Sequence, residues 1–222
     1  MREELRRLDR PMLYSISEYG REQPWTWAPG IANMWRTTAD IAPNWLSVVG
    51  IIDSQADLAQ YAGPGGWNDP DMLQVGNGGM TPDEVRSHVG MWAMLAAPLM
   101  IGTDLDALSP DVLAAVSNKE IVAIDQDPLG KQARRIQVGE GNFWARTEVW
   151  SRPLDHGGHA VALFNKTDAP VTMSATLEEV GATAGRWSVR DASNKTDLAS
   201  TNSVVSSTVP AHGLVVLRLE RE

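Results

Sequence analysis

The residue pattern changes character once along this chain, and that change constrains the architecture more than any other feature. Up to about Gly130, strand-like apolar runs, loops rich in Trp, Pro and Gly, and helical stripes alternate about every 30 residues. That alternation predicts parallel β/α units. After about residue 133 the runs "NFWARTEVW", "HAVALFN", "VTMSATL", "RWSVRDA" and "GLVVLRL" are short, β-type and separated by Gly, Pro, Asn and Asp. Their spacing predicts an antiparallel β-sandwich. A chain of 222 residues fits one large domain or two small ones. The texture favours two: a β/α part over 1–132 and an all-β part over 133–222.

Local signals refine the first part. Residues 2–10 read as a helix stopped by Pro11, and "MLYSIS" (12–17) as a short buried strand. A loop from Glu18 to Asn33 leads to a strand over 34–38. Residues 44–62 carry a stripe of Leu46, Val49, Ile52, Ala56 and Ala59 at helical spacing, ended by the Gly and Pro residues at 63–66. Thr81, Pro82 and Glu84 predict a capped helix start. That helix should run to about Ala96, with "APLMIG" (97–102) as a buried strand after it. Ser109-Pro110-Asp111 opens another helix, and "NKEIVAIDQDPLG" completes the pattern.

Composition removes several function classes. The net charge is −9, and the longest basic cluster is "KQARR" at 131–135, so nucleic-acid binding has no footprint. The absence of cysteine excludes disulfides, thiolate metal sites and thiol nucleophiles. "MREELRRLDRPML" is charged throughout and carries no signal-peptide core, so the chain as written is expected to be cytoplasmic. No window approaches 18 consecutive apolar residues. The N-K-T triplets at Asn165 and Asn194 read as polar turns. Nine Trp outnumber three Tyr and two Phe, and Trp faces are suited to stacking on sugar rings.

The β/α reading gathers acids that lie far apart in sequence. Glu18 follows the first strand, Asp40 ends the second, and Asp69 and Asp71 belong to the next strand-to-loop passage. In a β/α barrel the C-terminal strand ends converge on one mouth. Arg36, Trp35 and Trp67 would stand near them, and two acids across a sugar are the minimum for glycoside hydrolysis. Each acid can equally be read as a loop cap or an Asx turn. A metal site built from Asp69, Asp71, Asp104 and Asp106 lacks the loop of a calcium hand, and no metal or other cofactor is expected.

The strings "EYG", "PWTWAP", "MWRTTADI", "GPGGWNDPDMLQVGNGGMT", "MWAMLAAPLMIGTDL" and "NKEIVAIDQDPLGKQ" follow one another in order. Together they closely resemble the α-galactosidase family of retaining glycoside hydrolases, and "VPAHGLVVLRL" resembles that family's C-terminal sandwich. The resemblance implies the C-terminal half of a (β/α)8 barrel, strands five to eight, followed by an antiparallel β-sandwich. It implies hydrolysis of terminal α-D-galactosyl residues, with Asp40 as general acid/base. Glu18 matches the residue that meets the sugar 2-OH, Arg36 a side chain lining the same site, and Asp71 with Met72 the far wall of the pocket. Tyr19 and Trp67 are further expected sugar contacts.

This sequence also departs from the family. Tyr19 stands where a Trp is usual, and Ser17 and Ala32 replace cysteines that pair in many relatives. The family's nucleophilic Asp lies on the fourth strand in a motif like "KYDNC" or "KFDGC", and no such stretch occurs. The resemblance therefore implies an acid/base without its nucleophile, and a chain inactive on its own. Its expected partners are an α-galactoside and either a second polypeptide carrying the N-terminal half-barrel or another copy of itself. A non-catalytic carbohydrate-binding or structural remnant is the alternative reading.

Overall fold

The computed structural model describes residues 1–222, apart from the side chain of Arg6. A short helix α1 (Arg2–Arg6) precedes a parallel sheet of β1 (Ser15–Ile16), β2 (Met34–Arg36) and β3 (Trp67–Asp69), in that spatial order. Helix α2 (Trp45–Ser54) crosses over between β2 and β3. Helix α3 (Pro82–Met94) follows β3 and leads to a parallel bridge between Leu73 and Ile101. Helices α4 (Pro110–Val116) and α5 (Lys119–Asp125) complete this part.

Strand alternation decides which side chains meet the helices. Trp35 and Asn68 turn toward them: the Trp35 indole N–H donates to Asn68 Oδ1 at 2.8 Å, and Asn68 Nδ2 donates to the Leu58 carbonyl at 3.0 Å. Met34, Arg36, Trp67 and Asp69 are left on the opposite face, with Arg36 in register beside Asp69.

Helix α3 forms as its first turn predicts. Thr81 Oγ1 accepts the Glu84 amide and Glu84 Oε2 accepts the Thr81 amide, a closed capping box contributing about 1 kcal/mol. The helix is buried nearly all round, because it is the layer between the two halves of the molecule. One core cluster joins Val48, Ile52 and Trp92 to Trp150, Phe164 and Val216. A β-carbon on Gly90 would sit 2.4 Å from Leu214 Cδ2, so glycine there lets the helix lie directly on the sheet behind it.

That sheet is antiparallel and six-stranded. It comprises β4 (Arg134–Val138), β5 (Thr147–Pro153), β6 (His159–Asn165), β8 (Trp187–Asp191), β9 (Thr196–Thr201) and β11 (Leu214–Arg221), in the order β4-β5-β6-β11-β8-β9. Strands β7 (Val171–Thr176) and β10 (Val204–Val209) pair as a second, two-stranded sheet. A one-turn helix α6 (Leu177–Val180) follows β7. Strand β6 is buried on both faces: Ala160, Ala162 and Phe164 face the core shared with α3, while Val161 and Leu163 face a second core with Met173, Trp187 and Val205. A strand covered on both sides reads as an unbroken apolar run, as "HAVALFN" does.

Several expectations need correction. The first helix stops at Arg6 rather than 10, having five residues and no side-chain cap. The strand over 12–17 shrinks to two residues, because β1 is an edge paired only with β2. The strand over 34–38 closes at Arg36. Helix α2 ends at Ser54, and its buried face is Trp45, Val48, Val49, Ile51 and Ile52, leaving Leu46 60% exposed. Residues 97–102 make a single bridge at Ile101 instead of a buried strand, since no further strand lies beyond them to pair with. Asn165 is not a polar turn: it is buried, and its amide donates to the carbonyls of Ala169, Val209 and Pro210. Among the described residues, no helix is long and apolar enough to cross a membrane.

Candidate active site

The C-terminal ends of β2 and β3 bring three charges together. Arg36 closes β2 and is only 11% exposed in its side chain. Its Nη2 lies 2.7 Å from Asp71 Oδ2 and 3.1 Å from Asp40 Oδ1, and also donates to the Thr38 carbonyl at 3.2 Å. The two acids differ sharply in exposure: the Asp40 side chain is 75% exposed and that of Asp71 7%. Asp40 thus projects into solvent from an anchored base, whereas Asp71 is built into the wall.

Asp71 is held from every side. Its Oδ2 also accepts the Ile41 amide at 2.9 Å, and its Oδ1 accepts the Met72 amide at 2.7 Å. Its backbone carbonyl accepts the Trp92 indole N–H at 2.7 Å. The residue has φ +89°, a conformation that costs a non-glycine residue on the order of 1–3 kcal/mol and persists only where its surroundings hold it. Asp69 accepts the Asp71 amide at 2.9 Å, and burial pushes its carboxyl above the usual aspartate range despite that bond and the nearby Arg36.

Glu18 and Tyr19 approach from the loop after β1. Tyr19 has φ +65°, and its ring lies 5.3 Å from the Arg36 guanidinium and 5.6 Å from that of Arg21. One oxygen of Glu18 accepts the Glu22 amide, and the other, Oε2, is buried without a partner among the described residues. Gly20 lies so close to the Thr37 carbonyl that a β-carbon would sit 2.2 Å from it. The loop therefore folds down onto the end of β2 only because residue 20 is glycine. Met72 rests on Gly102, is 36% exposed and lies next to Asp71 in the chain.

Trp67 is not brought to this cluster. It begins β3, in register with Met34, and its ring packs near Gly130 and Pro64. There it lines a separate cavity of about 310 Å³ with Leu13, Met34, Pro98 and Asp125. The position of Trp92 behind Asp71 was missed in the sequence, where it is one apolar residue of a buried helix 21 positions away. No periodicity announces such a bond. Among the described residues, no three acids or histidines converge as a metal site.

An exposed carboxylate and a buried one on a single guanidinium, at the ends of parallel strands, can exchange a proton with a ligand on the solvent side while keeping a fixed geometry. The comparisons with known proteins bear on the family. The family described as Alpha galactosidase A matches residues 1–127, and the Alpha galactosidase C-terminal beta sandwich domain matches residues 145–219. Alpha-galactosidase 3 of Arabidopsis thaliana is 43% identical over 96% of this chain and 48% of its own length. Alpha-galactosidase A of Cellvibrio japonicus is 39% identical over 99% of this chain and 58% of its own. The crystal structure of α-galactosidase I from Mortierella vinacea superposes with a TM-score of 0.93 at 31% identity, covering 100% of this chain and 62% of that one. The chain thus spans about half the length of the curated relatives it matches. With the first family covering the unit that carries Arg36, Asp40 and Asp71, and the second covering the sheets behind it, this chain belongs to the α-galactosidase family.

Proposed function

We propose that residues 1–132 are the C-terminal half of a (β/α)8 barrel, residues 133–222 its β-sandwich, and the whole the acid/base-bearing part of a retaining α-galactosidase. The observation that carries this reading is the Arg36–Asp40 pair, 3.1 Å apart at the end of β2 with Asp40 exposed. Asp40 protonates the leaving oxygen and then deprotonates the attacking water. Glu18 offers its unpartnered Oε2 to the sugar 2-OH, Tyr19 and Arg36 line the same side, and Met72 with Asp71 forms the far wall. The relatives named as α-galactosidases support a terminal α-galactoside as substrate.

A retaining pair needs a second carboxylate about 5–5.5 Å from the first. Asp71 is committed to Arg36, Ile41 and Met72, which argues against its serving as nucleophile. On this reading the missing acid lies in the part of the relatives' length that these 222 residues do not span. The three-stranded extent of the parallel sheet favours a second reading, a non-catalytic carbohydrate-binding or structural remnant.

A chimaera in which the part of the Mortierella vinacea enzyme that this chain does not cover is placed before Met1 separates the two. It should hydrolyse p-nitrophenyl α-D-galactoside, while the 222-residue chain does not. Within the chimaera, Asp40→Asn should lower turnover of melibiose by roughly 10²–10⁴, and of the activated aryl substrate by less. Robust turnover by the chain alone would show that it holds its own nucleophile. A folded chimaera that binds galactose without hydrolysing the aryl galactoside would favour the second reading.

A further inference from the structure

We infer that Asp71 is a positioning residue for Asp40, holding the segment that carries the proposed acid at both of its ends. This rests on the reading of Asp40 as proton donor. Segment 36–41 leaves β2, turns, and presents Asp40 to solvent. A single oxygen, Asp71 Oδ2, receives the guanidinium at the start of that segment at 2.7 Å and the amide of Ile41 at its end at 2.9 Å. The same guanidinium nitrogen reaches Asp40 Oδ1 at 3.1 Å. Arg36 is the one charged side chain in contact with Asp40 among the described residues, and it is shared with Asp71; Asp69 lies beyond it at the end of β3.

Asp71 is suited to this task by what fixes it. The Met72 amide takes its other oxygen, the Trp92 indole holds its carbonyl, and Asp69 accepts its amide. With four protein bonds besides the ion pair and a side chain 7% exposed, its carboxylate faces the protein rather than a ligand. Its negative charge also offsets part of the Arg36 field that Asp40 feels. The geometry thus sets both the direction in which Asp40 points and the balance of charge around it.

The test uses the whole chain without substrate, so its outcome is independent of whether hydrolysis is reconstituted. In Asp71→Asn the side chain keeps its shape and loses its charge. Both Asp71 oxygens accept backbone amides and Asn offers one acceptor, so Ile41 amide exchange, followed by NMR, should quicken at least about tenfold as its charge-assisted bond becomes neutral or is lost. The backbone order parameter of Asp40 should fall, because the segment that carries it loses its charged anchor at both ends. The Trp92 indole N–H should stay protected, since its acceptor is a backbone carbonyl, and it reports that the loop is still folded. Arg36→Gln should also lower the Asp40 order parameter while leaving Ile41 protected. Unchanged Ile41 exchange and Asp40 order parameter in Asp71→Asn, with Trp92 protected, overturn the inference. If Trp92 loses protection in Asp71→Asn, Arg36→Gln decides, and an unmoved Asp40 order parameter there overturns it.

Discussion

Glu18 has the side chain whose state most invites a ligand. A carboxylate oxygen without a partner loses hydration and gains nothing in return, so a buried one stays only where something else supplies the bond. Glu18 Oε2 is such an atom, at the end of the strand next to the one that bears Arg36. A hydroxyl donor on a sugar would satisfy it, whereas a bulkier N-acetyl group in the same place would collide. In the proposed chimaera, Glu18→Ser should therefore weaken use of aryl α-galactosides and raise relative use of aryl α-N-acetylgalactosaminides, read as the ratio of their kcat/KM values. An unmoved ratio would remove Glu18 from 2-OH recognition. The strings that flank Glu18 and Asp40 make both residues legible in the sequence. What is not legible is that Trp67 turns to another cavity, because a three-residue strand sends residues at its two ends to different depths of one face.

At the scale of elements, α5 carries a burden that its sequence conceals. Its last residue, Asp125, is buried with Oδ1 unpartnered, and burial raises its carboxyl to about 7 despite the Gln126 amide and the nearby Arg152. Arg152 is itself fully buried and lowered to about 10 by burial. The folded protein therefore holds a proton on Asp125 that the unfolded chain has released. That contribution is complete below the ordinary aspartate value and is lost as pH rises through about 7. His88 works in the opposite sense: burial lowers it to about 3, so its contribution is lost as pH falls below the ordinary histidine value. Asp125→Asn removes only the first effect. Urea unfolding should find the variant level with the parent near pH 4 and more stable near pH 8, by on the order of 4 kcal/mol. Parallel stability curves across that range would show that Asp125 is not protonated in the fold.

For the whole molecule, the open parallel sheet carries a prediction about behaviour in solution. Strand β1 has one neighbour, and at the other border Ile101 bridges only Leu73, so both edges keep unpaired backbone groups. Leu13, 72% exposed, lines the cavity with Met34 and Trp67, and Met100 is 41% exposed. Edges and apolar surface of this kind promote pairing with another chain. Size-exclusion chromatography with light scattering should find the chain self-associated, and the chimaera of the proposed function should suppress that association. A monodisperse monomer across the micromolar range would mean that the edges are protected in another way. A buried network ties the two parts together: Glu148, fully buried, receives Lys166 at 2.6 Å, Arg146 at 2.8 Å and Arg135 at 3.2 Å, and Arg146 continues to Asp53 on α2 at 3.1 Å. Arg135, read in sequence only as part of a short basic cluster, is there a structural ion.

Features whose causes lie within a few residues could be read from the chain alone. The capping box of Thr81 and Glu84, the helix started by Ser109 and Pro110, and the doubly buried run of β6 all declare themselves through neighbours at short spacing. The order of motifs likewise determined the family. Tertiary structure alone decided the pairing of Arg36 with Asp71 across 35 positions, the Trp92 bond behind it, the two-residue extent of β1, and the gathering of Asp53 with Arg135 and Arg146. The physical reason is range. Local propensity acts through bonds of three or four residues, whereas an ion pair or a strand's length depends on which distant partner the packed chain sets beside it, and no periodicity records that partner's identity.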